Sequence, residues 1–236
     1  IAIDLLQKTI DSNFENLKIN FENHQLHVNL VTKGFTKVTD VVIQTIFMFS
    51  TQHLHPLAIP TEAERLSVLA VGGYGREEMA PFSDVDLLFL TPYKITPWAE
   101  SVIESMLYIL WDLKLHVGHA TRSITECLLM GKKDFTIRTT LLETRRIIGD
   151  ESLVSELNNR LWNELFQSSA TEFITAKLEE RLLRHKKHGE NRYLLEPNIK
   201  EGKGGLRDLQ SLFWIAKYIH HVQRPEQLIE KNVFNQ

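Results

Sequence analysis

The sequence predicts an α+β fold, a small mixed sheet set between large helical regions. Three observations predict it. Two apolar runs, Leu66–Val71 and Val85–Leu90, flank a glycine-rich turn. The stretch from Trp98 to Leu113 (WAESVIESMLYILWDL) repeats its apolar residues with the 3.6-residue period of a buried-face helix. From Ser123 onward the pattern is helical for roughly a hundred residues, interrupted only by polar or glycine breaks.

The elements follow in order. Residues 1–35 are polar and mixed, with alternation only around His24–Val31, and read as loose or peripheral structure. Val38–Leu54 is apolar-rich and reads as a helix despite its β-branched residues; Pro56 and Pro60 close it. Thr61 followed by Glu64 has the spacing of a capping box. Leu66–Val71 reads as a strand, Gly72–Gly75 as a turn, and Arg76-Glu77-Glu78 as the start of a short helix broken by Pro81-Phe82-Ser83. Val85–Leu90 is a second strand, ended by Thr91-Pro92, and Leu115–Ala120 alternates as a third. Helices are expected near 123–130, 134–148, 151–166 and 171–187, then a polar hinge at 189–197 and a last helix over Leu206–His220. The organisation expected is a helical region (1–57), an α/β core (58–125) and a second helical region (126–236).

Composition narrows the function. The chain has 236 residues, 43% hydrophobic and 24% charged, which is ordinary globular protein. Its net charge of −3 argues against a dedicated nucleic-acid binder, and no apolar stretch approaches a membrane span. A single cysteine, Cys127, rules out an internal disulfide; set in SITECLLMG, it reads as a buried, inert thiol. A reducing, cytoplasmic setting is expected. The chain opens on Ile1 rather than methionine and is expected to be a piece of a longer protein.

The chemistry concentrates in LSVLAVGGYGREEMAPFSDVDLLFL (66–90). Strand side chains alternate faces, so Asp84 and Asp86 point the same way. Two carboxylates on one face repel unless a cation lies between them, and Mg²⁺ accepts both carboxylate and phosphate oxygens. Gly72 and Gly73 lack side chains, so the backbone there can approach a phosphate closely. Together these make a nucleotide-handling site, with Asp84 and Asp86 as catalytic metal ligands. Ser83 adds a phosphate contact or closes a turn; Arg76 either reaches a phosphate or ties the loop to Glu77 or Asp84. No GxxxxGK[ST] and no GxGxxG is present, and neither His185/His188 nor His220-His221 has a partner set for zinc.

Charge is unevenly spread. Residues 181–207 hold eight Lys/Arg against three Glu, a local excess that suits a small polyanion. Within it, Gly202, Gly204 and Gly205 allow a compact loop carrying Lys200, Lys203 and Arg207. Two readings stand there. The loop leaves N–H groups free at the start of the following helix to hold phosphates, or it packs across the nucleotide-handling unit, with Arg207 and Asp208 forming structural ion pairs.

Four blocks carry a family resemblance: VGGYGREEMAPFSDVDLLFL (71–90), LWDLKLHVGHATRS (110–123), DFTIRTTLLETRRIIGD (134–150) and YLLEPNIKEGKGGLRDLQ (193–210). The GG…DxD arrangement resembles the DNA polymerase β-like nucleotidyltransferases. All four blocks together resemble the nucleotidyltransferase domain of the bacterial [protein-PII] uridylyltransferase/uridylyl-removing family. That resemblance implies transfer of UMP from UTP to a tyrosine hydroxyl of the PII signalling protein, with Mg²⁺ as cofactor. It also implies that uridylyl removal and glutamine sensing belong to domains outside this chain. An adenylyl-transferring regulator and a non-catalytic nucleotide-binding module are the competing readings. One departure stands out: the superfamily usually supplies a third carboxylate on a later strand, the resemblance to this enzyme group makes the residue before V-G-H its candidate position, and this sequence has His116 there, a poor ligand for Mg²⁺.

Overall fold

The structure, a computed structural model, describes residues 2–188, 198–222 and 226–233. Its residues group into two compact units. One comprises 1–130 and 143–159 and contains the sheet; the other comprises 131–142 and 160–236. The hinge expected at 189–197 lies outside the described residues.

The first unit begins with a correction. Residues expected to be loose form helix α1 (Ala2–Glu22), followed by α2 (Val28–Phe49), which runs on into a wider π turn, Ser50–Leu54. The reason is a sparse apolar stripe. Leu6, Ile10, Phe14 and Leu17 recur at helical spacing and pack against Val31 and Phe35 of α2 and the wider core. The Phe14 and Phe35 rings lie 4.6 Å apart. At Gly34 an added Cβ would fall 2.6 Å from the end of the Leu17 side chain, which would have to shift to admit it.

The expected capping box is present: Thr61 accepts from Ala63 N–H, Glu64 accepts from Thr61 N–H, and a 3₁₀ turn, Glu62–Glu64, leads into the sheet. Then come β1 (Ser67–Ala70), a helical turn α3 (Gly72–Gly75), β2 (Val85–Thr91), α4 (Pro97–Asp112) and β3 (Val117–Ser123). The glycines themselves are helical, and no separate helix starts at Arg76. Thr96 caps α4 by accepting from Ala99 N–H, and Pro97 supplies the preset first helical position. After α4, Lys114 takes a left-handed φ of 55°, which delays β3 relative to the expected 115–120. Next are α5 (Ile124–Lys133), α6 (Phe135–Leu142), β4 (Arg145–Gly149) and α7 (Glu151–Leu161). The strand β4 replaces the end of a helix expected over 134–148. Its RRIIG is short and β-branched, and its hydrogen bonds are made to β1, far away in sequence.

Among the described residues, four strands form one mixed sheet in the order β3-β2-β1-β4. β1 is antiparallel to both its neighbours, and β2 runs parallel to β3. On one face Val68, Ala70, Val85, Leu87 and Phe89 join Val42, Ile43 and Ile46 of α2 and Val102, Met106 and Leu110 of α4 in a single core. Phe89 is wholly buried; truncating such a ring to Ala costs about 3–5 kcal/mol. Alternation sends Asp84 and Asp86 to the opposite face.

The second unit is built on α6, α8 (Ala170–His188), α9 (Leu206–His220) and α10 (Glu226–Glu230). Phe173 of α8 stacks on Tyr218 of α9 at 4.2 Å, and Trp162 stacks on His221 at 3.5 Å. Buried Lys177 bonds to Glu180 at 2.7 Å and lies 5.0 Å from the Trp214 ring. Among the described residues, no helix is long and apolar enough to cross a membrane.

Candidate active site

The site grows out of the β1–α3–β2 connection. As β1 ends, Val71 N–H donates to the Asp86 carbonyl at 3.1 Å, which ties the start of the glycine turn to the acid-bearing strand. Gly72 then takes a φ of +60°, a conformation costly for any residue with a Cβ. A Cβ there would lie 3.4 Å from Asp86 Oδ2, so the glycine backbone and the carboxylate are neighbours. At Gly73 a Cβ would meet only Arg76 Nη2 at 3.8 Å; that position is roomy.

The loop between α3 and β2 is strained at Glu77 and Phe82, whose φ values are 62° and 66°. Ser83 closes it, its Oγ accepting from Ala80 N–H at 2.9 Å, which is the turn role. Asp84 follows, exposed, and Asp86 is half-buried. Burial, and then the Asp84 charge, raise the Asp86 carboxyl above its ordinary value. Among the described residues neither carboxylate is met by a hydrogen-bond donor or a cation. Asp86 leans over β3, where its register partner is Gly118; a Cβ on Gly118 would fall 2.5 Å from Asp86 Oδ1. Half-buried Asp86, lodged between two glycines with exposed Asp84 two residues before it, forms a cradle that suits a hard divalent cation.

Arg76 ties the loop to Glu78 at 2.7 Å and to buried Glu143 at 2.6 Å. Its Nη2 lies beside Gly73. Exposed His116 stands just before β3, its carbonyl accepting from Val85 N–H at 2.7 Å. The Val85–Val117 register sets it alongside Asp84.

Lys200, Lys203 and Arg207 belong to the second unit. The N–H groups expected to be free there are used: Leu206 N–H donates to Ile199 and Arg207 N–H to Lys200. Asn198 Oδ1 closes the loop by accepting from Lys200 and Glu201 N–H. These bonds close the loop on itself within the second unit. Arg207 donates to Gln210 at 2.9 Å and lies over Trp214, while Asp208 accepts from Arg184, His185 and Gly204 N–H. Burial alone would raise Asp208; the Gly204 N–H, Arg184 and His185 hold it down at about 2. Lys200 and Lys203 remain exposed. Cys127 is buried and its thiol is pushed up to about 12 by burial, an inert group as expected.

Sequence reasoning missed Gly118 and Glu143. The first carries no local signal, because its need arises from a carboxylate on another strand. The second sits in a segment read as continuous helix.

The family model for GlnD PII-uridylyltransferase matches residues 172–236. The chain is 59% identical over 204 residues to a bifunctional uridylyltransferase/uridylyl-removing enzyme of Ruegeria pomeroyi, covering 86% of this chain and 22% of that protein. The chain belongs to this family. The enzyme of the same name from Cereibacter sphaeroides is 57% identical over 213 residues, 90% of this chain and 23% of its own length. That of Caulobacter vibrioides is 51% identical over 234 residues, 99% of this chain and 25% of its own. The chain therefore spans about a quarter of the length of these family members, and the match to the Caulobacter enzyme takes in the region of this chain that holds the glycine turn and the acid pair.

Proposed function

We propose that this segment carries the uridylyl-transferring activity of its family: UMP passes from UTP to a tyrosine hydroxyl of PII. The phenolic oxygen bonds to the α-phosphorus, the α–β phosphoanhydride bond breaks, diphosphate leaves and the phenol's proton is released. The observation that carries the reading is Asp86, half-buried without a counter-charge beside Asp84 and lodged between Gly72 and Gly118.

Asp84 and Asp86 would hold Mg²⁺, which when bound neutralises phosphate charge and makes the hydroxyl more acidic. The chain's own residues do the rest. Gly72 and Gly73 let the main chain lie against the triphosphate. Arg76, braced by Glu143 and Glu78, adds fixed positive charge beside Gly73. Ser83 sets the loop that aims Asp84. Lys200 and Lys203 give the second unit exposed cations of its own, which would attract an anionic ligand or an acidic protein surface. Uridylyl removal and control by glutamine are assigned to segments outside the matched residues, and the setting is cytoplasmic.

The test is incubation of the chain with Mg²⁺, PII and each labelled nucleoside triphosphate in turn. Label on PII from UTP alone is expected. Label from ATP instead would move the assignment to adenylyl transfer, and no label from any triphosphate would reject transferase activity in this segment.

A further inference from the structure

Asp40 lies on α2, well before the glycine turn in sequence, and is 7% exposed. Tyr74, the residue after Gly73, donates its hydroxyl to Asp40 Oδ1 at 2.7 Å. Arg145 of β4 grips the same carboxylate from the other side, Nη1 to Oδ2 at 2.9 Å and Nη2 to Oδ1 at 3.0 Å. Its Nη2 also reaches the Tyr74 carbonyl at 3.4 Å, and its guanidinium carbon lies 5.4 Å from the ring centroid. Tyr74 is therefore held at both its hydroxyl and its backbone.

Stability alone is a poor explanation for this arrangement. A buried carboxylate–guanidinium pair is often no more stabilising than apolar side chains of similar volume. What it does supply is direction, and its three members meet at the glycine turn. The far end of that turn is also pressed home: a Cβ on Gly75 would fall 1.9 Å from the Glu143 carbonyl oxygen. At the near end Gly72 faces Asp86, and Gly73 beside it is open.

We propose that Asp40 is a positioning residue, which through Tyr74 fixes the Gly72–Gly73 backbone against Asp86 so that the triphosphate meets a preformed turn. The inference rests on the nucleotidyltransferase reading above. A turn that contacts the triphosphate equally before and during transfer affects KM and leaves kcat nearly unchanged.

Tyr74→Phe is the cleanest probe, because it removes one oxygen and leaves both the ring and the Asp40–Arg145 pair. The measurements are UTP affinity with Mg²⁺ by titration calorimetry, kcat and KM for transfer to PII, and a melting curve. The expected result is a UTP Kd and KM raised roughly tenfold, the size of one hydrogen bond to a charged group, with kcat within about twofold. Asp40→Ala should show the same split, and Asp40→Asn, which still accepts from Tyr74, should recover part of the affinity. A Tyr74→Phe protein that melts earlier yet binds UTP as the wild type does would overturn the positioning role alone. A wild-type chain that does not bind UTP with Mg²⁺ would overturn the nucleotidyltransferase reading and this inference with it.

Discussion

Asp86 on β2 and Gly118 on β3 are register partners, and a Cβ on Gly118 would stand 2.5 Å from Asp86 Oδ1. The carboxylate occupies the space where a side chain on the neighbouring strand would be. Parallel pairing of β2 with β3 sets this juxtaposition, and Gly72 bounds the acid from the glycine turn.

Gly118→Ala therefore tests the cradle. The atom it displaces is the end of a side chain, so the fold can yield cheaply, and Gly→Ala at a compatible backbone commonly stabilises by about 0.4–1 kcal/mol. Metal affinity has no such escape. The half-saturating Mg²⁺ concentration for transfer should rise roughly tenfold, about 1.4 kcal/mol of lost binding, with the melting temperature unchanged or higher. Kinetics across a Mg²⁺ series and thermal melts check both.

The two glycines should separate. Gly72 needs its left-handed φ, so Gly72→Ala should cost about 1–2 kcal/mol of stability as well as crowding Asp86. Gly73 has ordinary φ and an open Cβ position, so Gly73→Val should fold. Its branched side chain would then fill the space meant for phosphate, and UTP binding should fall or vanish. Unchanged affinity in folded Gly73→Val would show that the turn does not touch the phosphates.

Much of the first unit was legible because its signals are local. VDLLFL declares β2, the apolar period of WAESVIESMLYILWDL declares α4, and the i,i+2 acids after Gly72-Gly73 mark the site. What stayed hidden depends on distant partners. Arg145–Gly149 becomes a strand only because β1 offers it an edge. In α1 the stripe Leu6, Ile10, Phe14 and Leu17 has helical spacing, but polar residues dilute it. For the loop before α9 glycines and cations left two readings standing, free N–H groups or a packed loop, because its closing partners are not announced by composition: Leu206 and Arg207 N–H donate to the Ile199 and Lys200 carbonyls.

His116 offers a gain-of-ligand test. It stands beside Asp84 at the head of β3, exposed and able to change without disturbing the core. His116→Glu should supply a third carboxylate oxygen, lower the half-saturating Mg²⁺ concentration severalfold and leave the melting temperature nearly unchanged. A Mg²⁺ dependence that does not move would leave Asp84 and Asp86 as the whole protein contribution to the metal.

The raised carboxyl of Asp86 makes a stability prediction with a definite sign. A folded-state value above the ordinary one means the folded chain holds the proton more tightly than the unfolded chain does. That contribution is present at low pH and is lost as pH rises through the raised value, so ionised Asp86 costs stability at neutral pH. Without Mg²⁺, Asp86→Asn should melt higher than the wild type at pH 7, and the difference should shrink at pH 4. Added Mg²⁺ should raise the wild-type melting temperature and leave that of the variant in place.

Transfer of label from UTP to PII by Asp86→Asn, measured beside the wild type with Mg²⁺ saturating, bears most directly on the role of the acid pair. Asparagine keeps the shape and removes the charge. The predicted result is a folded protein whose rate falls by about a thousandfold, the scale of losing an electrostatic group at a reacting centre. A folded Asp86→Asn protein that transfers the label at the wild-type rate would contradict the assignment.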